Sequence, residues 1–438
     1  MATPDQPGTI ERPTRARYIV LALLCAMAFV LYLDRICMGQ AVKPIRDTLD
    51  ISKFRMGLIL AAFTVAYGIF EIPAGHWGDR YGSRRVLARI VICWSLFTAL
   101  TGASFDFWSL LAVRFLFGAG EAGAFPNAAR IFQRWFPPSE RGRGQGLMLA
   151  SSMIGASIAP AVAGELINAV GWRWMFVIFS ATGIAWAAVF FWWFHDDPRE
   201  HPSVNAAEVA EIGIGAAACR EHPPIPWRAV ATNRNIWLLG TIISLSAFNS
   251  YLYFSWYPEY LEAARGLTNR AAGYQSALVL LGGAVGTLGG GFISDRVTRT
   301  ALDPPRTRRW YGVTAYFVAA SLLVAAILSD SPLLTSLFAG ASCAAMLSQQ
   351  AIWWNCACQL GGRHVGAMFG LMNGMGMVGA IATQVFFGTF AEWRENEGYL
   401  GRDQWDPAFI AYIGTLALAG IGWMFVDVRR NIEGEEET

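Results

Sequence analysis

Charged residues are scarce in this sequence. Aspartate, glutamate, lysine and arginine make up 15% of its 438 residues, whereas 54% are hydrophobic. A soluble globular chain carries about one quarter charged residues, so this composition excludes an ordinary soluble domain. The formal net charge is only +2, and the arginines are scattered in short loops rather than gathered on one face, which argues against a nucleic-acid partner.

The residues that build catalytic and metal sites are also few. The five histidines lie mostly in loops, and no histidine or cysteine stands in a pattern that would supply a nucleophile, a base and oxyanion donors. The seven cysteines lie mostly inside apolar runs, and Cys356-Ala-Cys358 lacks the spacing and companion ligands of a zinc site. We therefore predict that the chain is not an enzyme and has no cofactor, metal or disulfide.

Long apolar runs take the place of charge. Twelve segments are long enough to span a bilayer, at 17–38, 55–75, 86–104, 108–132, 143–170, 174–194, 236–262, 271–293, 310–329, 333–359, 364–390 and 407–427. Only helices satisfy the backbone in lipid over such lengths. We therefore predict an all-α membrane protein with twelve transmembrane helices in two six-helix pseudo-repeats.

Polar stretches divide these segments into units. Residues 1–16 form a predicted tail, 17–194 a first half, 195–234 a proline-rich linker with a short helix near 205–214, 235–428 a second half and 429–438 an acidic tail. Arginines cluster at both ends of the chain and in the loops after the second, fourth and eighth segments. Because positive charge marks the cytoplasmic side, we expect a multi-pass protein of the inner membrane with both termini and the linker in the cytoplasm. The first outer loop is an exception, with Lys43, Arg46, Lys53 and Arg55.

One polar motif occurs twice. Gly75-His-Trp-Gly-Asp79-Arg80-Tyr-Gly82-Ser-Arg84-Arg85 follows the second apolar segment, and Gly291-Phe-Ile-Ser-Asp295-Arg296-Val-Thr-Arg299 follows the eighth. Each is expected to be a tight polar loop at the membrane face. Since each follows the second segment of its half, the pair indicates an internal repeat.

Charges inside the first apolar half are the strongest functional signal, because charge within a bilayer is costly. Asp34 and Arg35 lie in the first segment, and Arg114 and Glu121 in the fourth. Arg35 could bind a carboxylate through both of its donor pairs, and the two acids could carry a proton. The alternative is a set of structural ion pairs that joins Arg114 to Asp34 or Glu121.

Helical spacing groups these charges with their neighbours. Arg114 and Glu121 are seven residues apart and Tyr32 and Arg35 three apart, so each pair shares a helix face. Glu71 in the second segment is either functional or an interhelical hydrogen-bond partner.

The second half offers neutral polar groups instead. They are Asn249, Ser250, Tyr253, Trp256, Gln349, Gln350, Trp353, Trp354, Asn355, Asn373 and Gln384. Amides suit hydroxyl groups and indole faces suit a sugar or an aromatic ring, although interhelical hydrogen bonds and interfacial tryptophans would use the same residues. From this set we predict Asn373, Asn249 and Trp353 as substrate-binding residues.

The two polar motifs resemble the signature loop of the major facilitator superfamily. Further segments are similar to the anion:cation symporter family, which includes bacterial transporters of hexonates, hexuronates and aldarates. These segments are Tyr32-Leu-Asp-Arg35, Arg114-Phe-Leu-Phe-Gly-Ala-Gly-Glu121-Ala-Gly-Ala-Phe-Pro126, Trp135-Phe-Pro-Pro-Ser-Glu-Arg141, Gly171-Trp-Arg-Trp174 and Asp197-Pro-Arg-Glu-His-Pro202.

The resemblance implies roles at matching positions. Arg35 would bind the substrate carboxylate beside Tyr32 and Tyr67, Asp34 and Glu121 would couple protons with Arg114 as their partner, and Asn373 would bind substrate hydroxyls. A cytoplasmic gate would comprise Gly75, Asp79, Arg80, Gly82 and Arg84 with Asp295 and Arg296. The chain departs from galactonate-type carriers at Ser152, where they have a glutamine, and from the second loop motif at Val297 and Thr298.

These observations predict a proton-coupled importer of an organic anion, specifically a sugar acid, that works by alternating access as a monomer. A carrier of aromatic or other carboxylates, or an anion exchanger, is the alternative within the same fold. A membrane sensor that transports nothing is the alternative from another class, and the short termini argue against it.

Overall fold

Helices account for nearly all of the chain that the computed structural model describes, namely residues 12–213, 227–299, 303–361 and 364–427. No strand occurs in these ranges. The first three spans are Ala16–Leu49, Lys53–Tyr81 and Ser83–Ala103, and the fourth consists of Phe107–Glu121 and Ala124–Trp135. The fifth and sixth spans follow each other directly within Pro138–Trp193, and Gly171, where φ is 81°, separates them. They are called 138–170 and 172–193 below.

Short helices occupy the described parts of the linker. They are Pro198–Glu200, Ala206–Ile212 and Trp227–Thr232. The second of them confirms the short helix predicted near 205–214, and Asn205 caps it by accepting a hydrogen bond from the Glu208 amide at 3.0 Å.

The second half repeats the pattern of six. Its seventh span consists of Arg234–Ser255 and Tyr257–Ala263, the eighth is Asn269–Arg299 and the ninth Pro304–Leu328. The tenth consists of Pro332–Ser348 and Gln350–Gly361, the eleventh is Val365–Asn396, and the twelfth consists of Arg402–Trp405, Asp406–Ala408 and Phe409–Trp423.

The predicted architecture of twelve membrane helices is confirmed. Nine helices in the described ranges are long and apolar enough to cross a membrane. One of them holds both the fifth and the sixth spans, and the fourth and tenth spans are each broken into two shorter helices. Large apolar side chains remain exposed along the outer surface of the spans, as lipid contact requires, among them Ile92, Leu96, Ile184, Val285, Leu288 and Val318.

The prediction of a tight loop at 75–85 is wrong. The second span continues as a helix through Tyr81, and only Gly82, with φ of 83°, separates it from the third span. The corresponding motif of the second half is also helical through Arg299. A helix whose last turns leave the apolar layer can become polar without ending, so hydropathy marks the membrane boundary and not the helix end.

Buried apolar residues form two clusters that differ in position. We call the side that carries the starts of the first and fifth spans the terminal face, and the side near Leu49 and Lys53 the distal face. Toward the distal face, residues of the first half share one cluster with the second half. Toward the terminal face, the first half has a cluster of its own, around Trp94, Phe132 and Trp135. The halves are therefore joined by apolar packing at the distal end.

A row of glycines brings the eighth span against the tenth. A Cβ atom at Gly282, Gly286 or Gly290 would lie 2.4, 2.2 or 2.0 Å from the backbone oxygen of Gly340, Ala344 or Ser348 respectively. Since these glycines recur every four residues, they form one face of the helix. The eighth and tenth spans are therefore in close contact along this face.

Candidate functional site

A buried ion pair joins the first span to the fourth in the middle of the first half. The Arg35 Nε atom donates to Oε1 of Glu121 at 2.9 Å, and its Nη2 atom donates to the same oxygen. The side chain of Glu121 is 1% exposed and that of Arg35 12%. From the sequence, Arg114 was one possible ion-pair partner of Glu121, but in the structure Arg35 is the partner.

Aromatic rings surround the Arg35 guanidinium. Its central carbon lies 5.1 Å from the ring centre of Tyr32, 5.2 Å from that of Phe63 and 4.8 Å from that of Tyr67. Tyr32 and Tyr67 therefore lie beside Arg35, as the motif resemblance implied, and Phe63 is an addition that sequence reasoning missed. Ring faces stabilise a cation and fix the plane of the guanidinium, so the group is held ready for a planar anion.

The two buried acids are each only half satisfied. Oδ2 of Asp34 accepts a hydrogen bond from Trp94 Nε1 at 3.1 Å, while its Oδ1 atom has no partner among the described residues. In Glu121 the Oε2 atom is likewise buried without a partner. A buried carboxylate oxygen without a donor is costly while it is charged, and a proton on that oxygen removes the charge.

Arg114 is a second buried cation at the same level. Its central carbon lies 4.4 Å from the ring centre of Phe117 and 5.3 Å from that of Phe63. Among the described residues, it comes within ion-pair distance of neither Asp34 nor Glu121, and its Nε atom has no hydrogen-bond partner. Arg114 is therefore a donor that an anion could engage.

Two glycines explain how Glu121 reaches Arg35. A Cβ atom at Gly118 would lie 2.3 Å from the backbone oxygen of Phe63, so only glycine lets the fourth span pack this closely on the second. Gly123, with φ of 87°, ends the first helix of the fourth span just beyond Glu121. The acid thus lies at the last turn of a helix, beside the break.

A cavity of about 20 Å³ adjoins this group and is also lined by the second half. Arg35 and Arg114 line it from one side, and Tyr251, Ser255 and Gln384 from the other. Its volume suits about one water molecule, so the site is closed around its own side chains in this conformation.

Residues from the second half meet the first half at this level. Gln384, one of the amides that the sequence singled out, accepts a hydrogen bond from the Thr64 hydroxyl at 3.0 Å. Tyr251 was missed, although its aromatic ring and hydroxyl in a membrane span were a signal that could have found it.

The other second-half predictions lie elsewhere. Asn373 donates to Glu71 of the second span at 3.2 Å and is exposed, so Glu71 is an interhelical hydrogen-bond partner. Asn249 donates to the Thr415 hydroxyl at 2.9 Å, inside the second half. Trp353 is buried in the core of the second half, where its indole donates to the Leu239 oxygen at 3.1 Å. Neither Asn249 nor Trp353 lines the cavity beside Arg35.

Ion pairs close the distal face above the cavity. Arg46 pairs with Glu259, which is 2% exposed, and Lys53 pairs with Glu395. Each pair joins the two halves, and the backbone amide of Phe54 adds a hydrogen bond to Glu392 at 2.7 Å. Two of the four positive charges of the first outer loop, Arg46 and Lys53, are thereby explained, because acids of the second half neutralise them.

Two predicted gate arginines, Arg80 and Arg84, contact the first half and the start of the linker. The Arg84 amide donates to Asp196 at 3.0 Å, and its guanidinium donates to the Phe191 oxygen. The Arg80 guanidinium lies 5.5 Å from the ring centre of Tyr81. A Cβ atom at Gly82 would lie 2.6 Å from Asp196 Oδ2, so glycine is needed where the linker crosses this turn.

The structure describes the remaining gate residues only in part. The side chains of Asp79 and Asp295, and the surroundings of Gly75, lie outside the described part of the structure. Arg296 is exposed.

Two six-helix halves around a buried, charged site at mid-membrane define a secondary transporter. The chain belongs to the Major Facilitator Superfamily, whose family model matches residues 24–384. It is therefore a membrane transporter and not an enzyme, as the sequence predicted.

Individual relatives cover most of the chain. It is 29% identical to the probable sulfoacetate transporter SauU of Cupriavidus necator over 98% of both chains. It is 31% identical to the probable L-galactonate transporter of Escherichia coli strain K12 over 77% of both. The resemblance to sugar-acid transporters is thereby confirmed. Among solved structures, a bacterial homologue of the human lysosomal transporter Spinster matches with a TM-score of 0.79 and 19% identity, over 94% of this chain and 97% of that chain, which supports the fold alone.

Proposed function

We propose that this chain imports an organic anion of the sugar-acid class together with a proton, by alternating access, with its terminal face in the cytoplasm. The observation that carries the proposal is the buried ion pair of Arg35 and Glu121. Arg35 is the cation best placed to bind a carboxylate, yet an internal carboxylate already occupies it. Binding of a substrate anion therefore requires that Glu121 let go.

A proton is the simplest means of release. Protonation of Glu121, at the Oε2 atom that has no partner in the described part of the chain, removes the charge that holds Arg35. The guanidinium can then form a bidentate pair with the substrate carboxylate. Conversely, a carboxylate on Arg35 deprives Glu121 of its counter-charge and favours its protonation. Proton and anion thus assist each other, with a coupling free energy on the order of 1–3 kcal/mol.

Asp34 is a second candidate proton carrier. It contacts the Trp94 indole and has one oxygen without a partner among the described residues. It lies next to Arg35 in the chain but points toward the third span. We assign it a supporting role, in which its protonation state sets the charge near Arg114.

The closed distal face fits one end of the transport cycle. The Arg46–Glu259 and Lys53–Glu395 pairs join the two halves on the distal side of the central site. Rocking of the halves about the central site would break these pairs and open that side. The cytoplasmic gate at Asp79, Arg80, Arg84, Asp295 and Arg296 remains a proposal for the opposite closed state.

The relatives support the substrate class. Those described above are named as a probable sulfoacetate transporter and a probable L-galactonate transporter, and a hexuronate transporter of Bacillus subtilis is 31% identical over 64% of both chains. Arg35 and Arg114 supply positive charge to the cavity. Gln384, Ser255 and Tyr251 supply polar groups that can form hydrogen bonds with hydroxyl groups of the substrate. This combination suits a small acid that carries hydroxyl groups.

A compact dianion is the second candidate substrate. Arg114 forms no ion pair with the described residues and lines the same cavity as Arg35, so a second acidic group could bind there. Sulfoacetate and the aldarates have two such groups, whereas a hexonate has one. The proposal of a monoanion and this alternative differ in whether Arg114 contacts the substrate.

Counterflow in proteoliposomes decides among these substrates. Liposomes loaded with unlabelled galactonate, hexuronate, glucarate, sulfoacetate, benzoate or phosphate would be diluted into a labelled acid at equal pH. We expect a sugar monoacid to drive the fastest exchange. Exchange with glucarate and sulfoacetate alone would favour the dianion, and exchange with benzoate or phosphate alone would contradict both.

A further inference from the structure

A second cavity lies at the terminal face of the second half, away from the central site. It measures about 350 Å³ and lies between the start of the ninth span, the tenth span at Cys356 and the end of the twelfth. This volume is within the range of small-molecule sites. The transport mechanism proposed above does not involve this cavity.

Three arginines line this cavity. Arg306, Arg308 and Arg309 come from the first turns of the ninth span. Arg309 is anchored, since its Nε atom donates to the Val426 oxygen at 2.9 Å. The Nε atom of Arg308 is buried and has no hydrogen-bond partner among the described residues. A buried guanidinium donor without an acceptor is costly.

An indole supplies a second buried donor without a partner. Trp423 lines the cavity, is 0% exposed, and its Nε1 atom has no hydrogen-bond partner in the described structure. Its ring packs directly against Gly312, where a Cβ atom would lie 2.4 Å from the nearest ring atom. Arg308 and Trp423 are on different spans, and both line the same cavity.

Two acids, Asp303 and Asp427, also line the cavity. Asp303 accepts a hydrogen bond from the Arg306 amide at 3.1 Å as the cap of the ninth span. The backbone amide of Asp427 donates to the Asn235 side chain at 2.9 Å, which ties the end of the twelfth span to the seventh. Three cations against two acids leave a net positive lining.

We propose that this cavity binds an anionic phosphate group. A tetrahedral phosphate has several acceptor oxygens that can satisfy the Arg308 and Trp423 donors together. Its position at a membrane face, beside the half-exposed Trp310, fits the headgroup of an anionic phospholipid, since basic pockets between membrane helices bind such headgroups. A soluble phosphate would present the same chemistry.

Native mass spectrometry of the full-length protein tests the proposal. The probes are phosphatidylglycerol, phosphatidylcholine and inorganic phosphate, added to detergent-solubilised protein. We expect one phosphatidylglycerol to remain bound preferentially over phosphatidylcholine. Arg308→Gln should weaken its binding about tenfold or more, because a charge-assisted hydrogen bond is lost. Trp423→Phe, which keeps the ring and removes only the donor, should weaken it about threefold.

Two control variants show whether a loss of phosphatidylglycerol binding is indirect. Arg143→Gln removes an exposed arginine outside the cavity. Trp405→Phe removes another buried indole donor, which has no hydrogen-bond partner among the described residues and lies in the first short helix of the twelfth span near the distal face. Both should bind phosphatidylglycerol as the wild type does. Inorganic phosphate that binds the wild type and displaces the lipid would support the same site with a soluble source.

Three results would overturn the proposal. The first is that neither phosphatidylglycerol nor phosphate binds to the wild type. The second is that Arg308→Gln and Trp423→Phe both bind as the wild type does. The third is that phosphatidylglycerol binds only after deletion of residues 428–438, because the acidic end of the chain would then be the occupant of the cavity.

Discussion

At the scale of single residues, the proposed mechanism makes the central site a competition between two carboxylates for one guanidinium. Glu121 already neutralises Arg35, and the aromatic rings around Arg35 keep the guanidinium in one plane. A substrate carboxylate must replace Glu121 with the same geometry. The planar, bidentate fork of arginine is therefore the property on which binding depends.

Replacement of Arg35 by lysine should impair binding severely. A lysine ammonium keeps the charge but is a single point, so it cannot form two parallel hydrogen bonds to a carboxylate. We expect Arg35→Lys to raise the substrate concentration needed for half-maximal counterflow about tenfold or more. Arg35→Ala should abolish exchange.

Arg55→Lys serves as the control for Arg35→Lys, because Arg55 is exposed at the distal face. It should leave counterflow unchanged. A wild-type concentration dependence in Arg35→Lys would show that the substrate carboxylate is bound elsewhere.

The sequence identified most of these side chains but not how they pair. Spacing along one helix puts Arg114 and Glu121 on one face, and it led to their assignment as partners. The actual pair joins two spans, and which cation faces Glu121 depends on the rotation of each helix about its axis. The same limit explains Tyr251 and Tyr253, which are two residues apart and so lie on different sides of the helix. Tyr251 lines the cavity, while Tyr253 is buried in the core.

At the scale of elements, the apolar runs predicted all twelve spans but not their ends or breaks. The first span continues through Leu49 and the second through Tyr81, because a helix can extend into water with polar residues. Breaks at Gly123, Trp256 and Gln349 divide spans whose hydropathy is continuous. Such breaks depend on local backbone geometry and on packing against other spans.

The glycine row of the eighth span provides a test at this scale. Gly286→Ala would place a methyl group 2.2 Å from the Ala344 oxygen, which forces the eighth and tenth spans apart. We expect a loss of about 1–3 kcal/mol in stability, measured as a lower temperature of unfolding in detergent.

Gly289→Ala is the matched control. A Cβ atom there meets nothing within 4 Å, and alanine favours a helix over glycine by about 1 kcal/mol, so this variant should unfold at the wild-type temperature or above it. Equal effects of the two changes would mean that close approach of the two spans does not matter.

At the scale of the whole molecule, the structure has its halves packed together at the distal end. One apolar cluster crosses between the halves there, and ion pairs lie above it. In the proposed transport cycle, opening of the distal side breaks these contacts, so their strength would set the population of the two conformations.

Removal of one partner of a buried pair between the halves should favour distal opening. Arg46→Gln leaves the buried Glu259 without its cation, a change that costs the closed state about 3–5 kcal/mol. We expect faster labelling of a cysteine at Leu60, which lines the central cavity, by an impermeant maleimide applied from the distal side. All native cysteines would be replaced by serine.

Lys43→Gln is the control for this change, since Lys43 pairs with Asp47 within the first span and both are exposed. It should leave the labelling rate unchanged. Identical rates in the wild type and in Arg46→Gln would mean that the Arg46–Glu259 pair does not hold the distal side shut.

The coupling of proton and anion at Glu121 is the central claim, and one comparison tests it most directly. Uptake of the acid with the strongest counterflow is measured in proteoliposomes under an imposed pH gradient and again as counterflow at equal pH, for the wild type, Glu121→Gln and the exposed control Glu397→Gln. Glutamine cannot carry a proton but also cannot hold Arg35 as an ion pair. The account predicts that Glu121→Gln exchanges the acid at equal pH and fails to concentrate it under the gradient, while Glu397→Gln behaves as the wild type. Accumulation by Glu121→Gln under the gradient would contradict the account and make Glu121 a structural partner of Arg35.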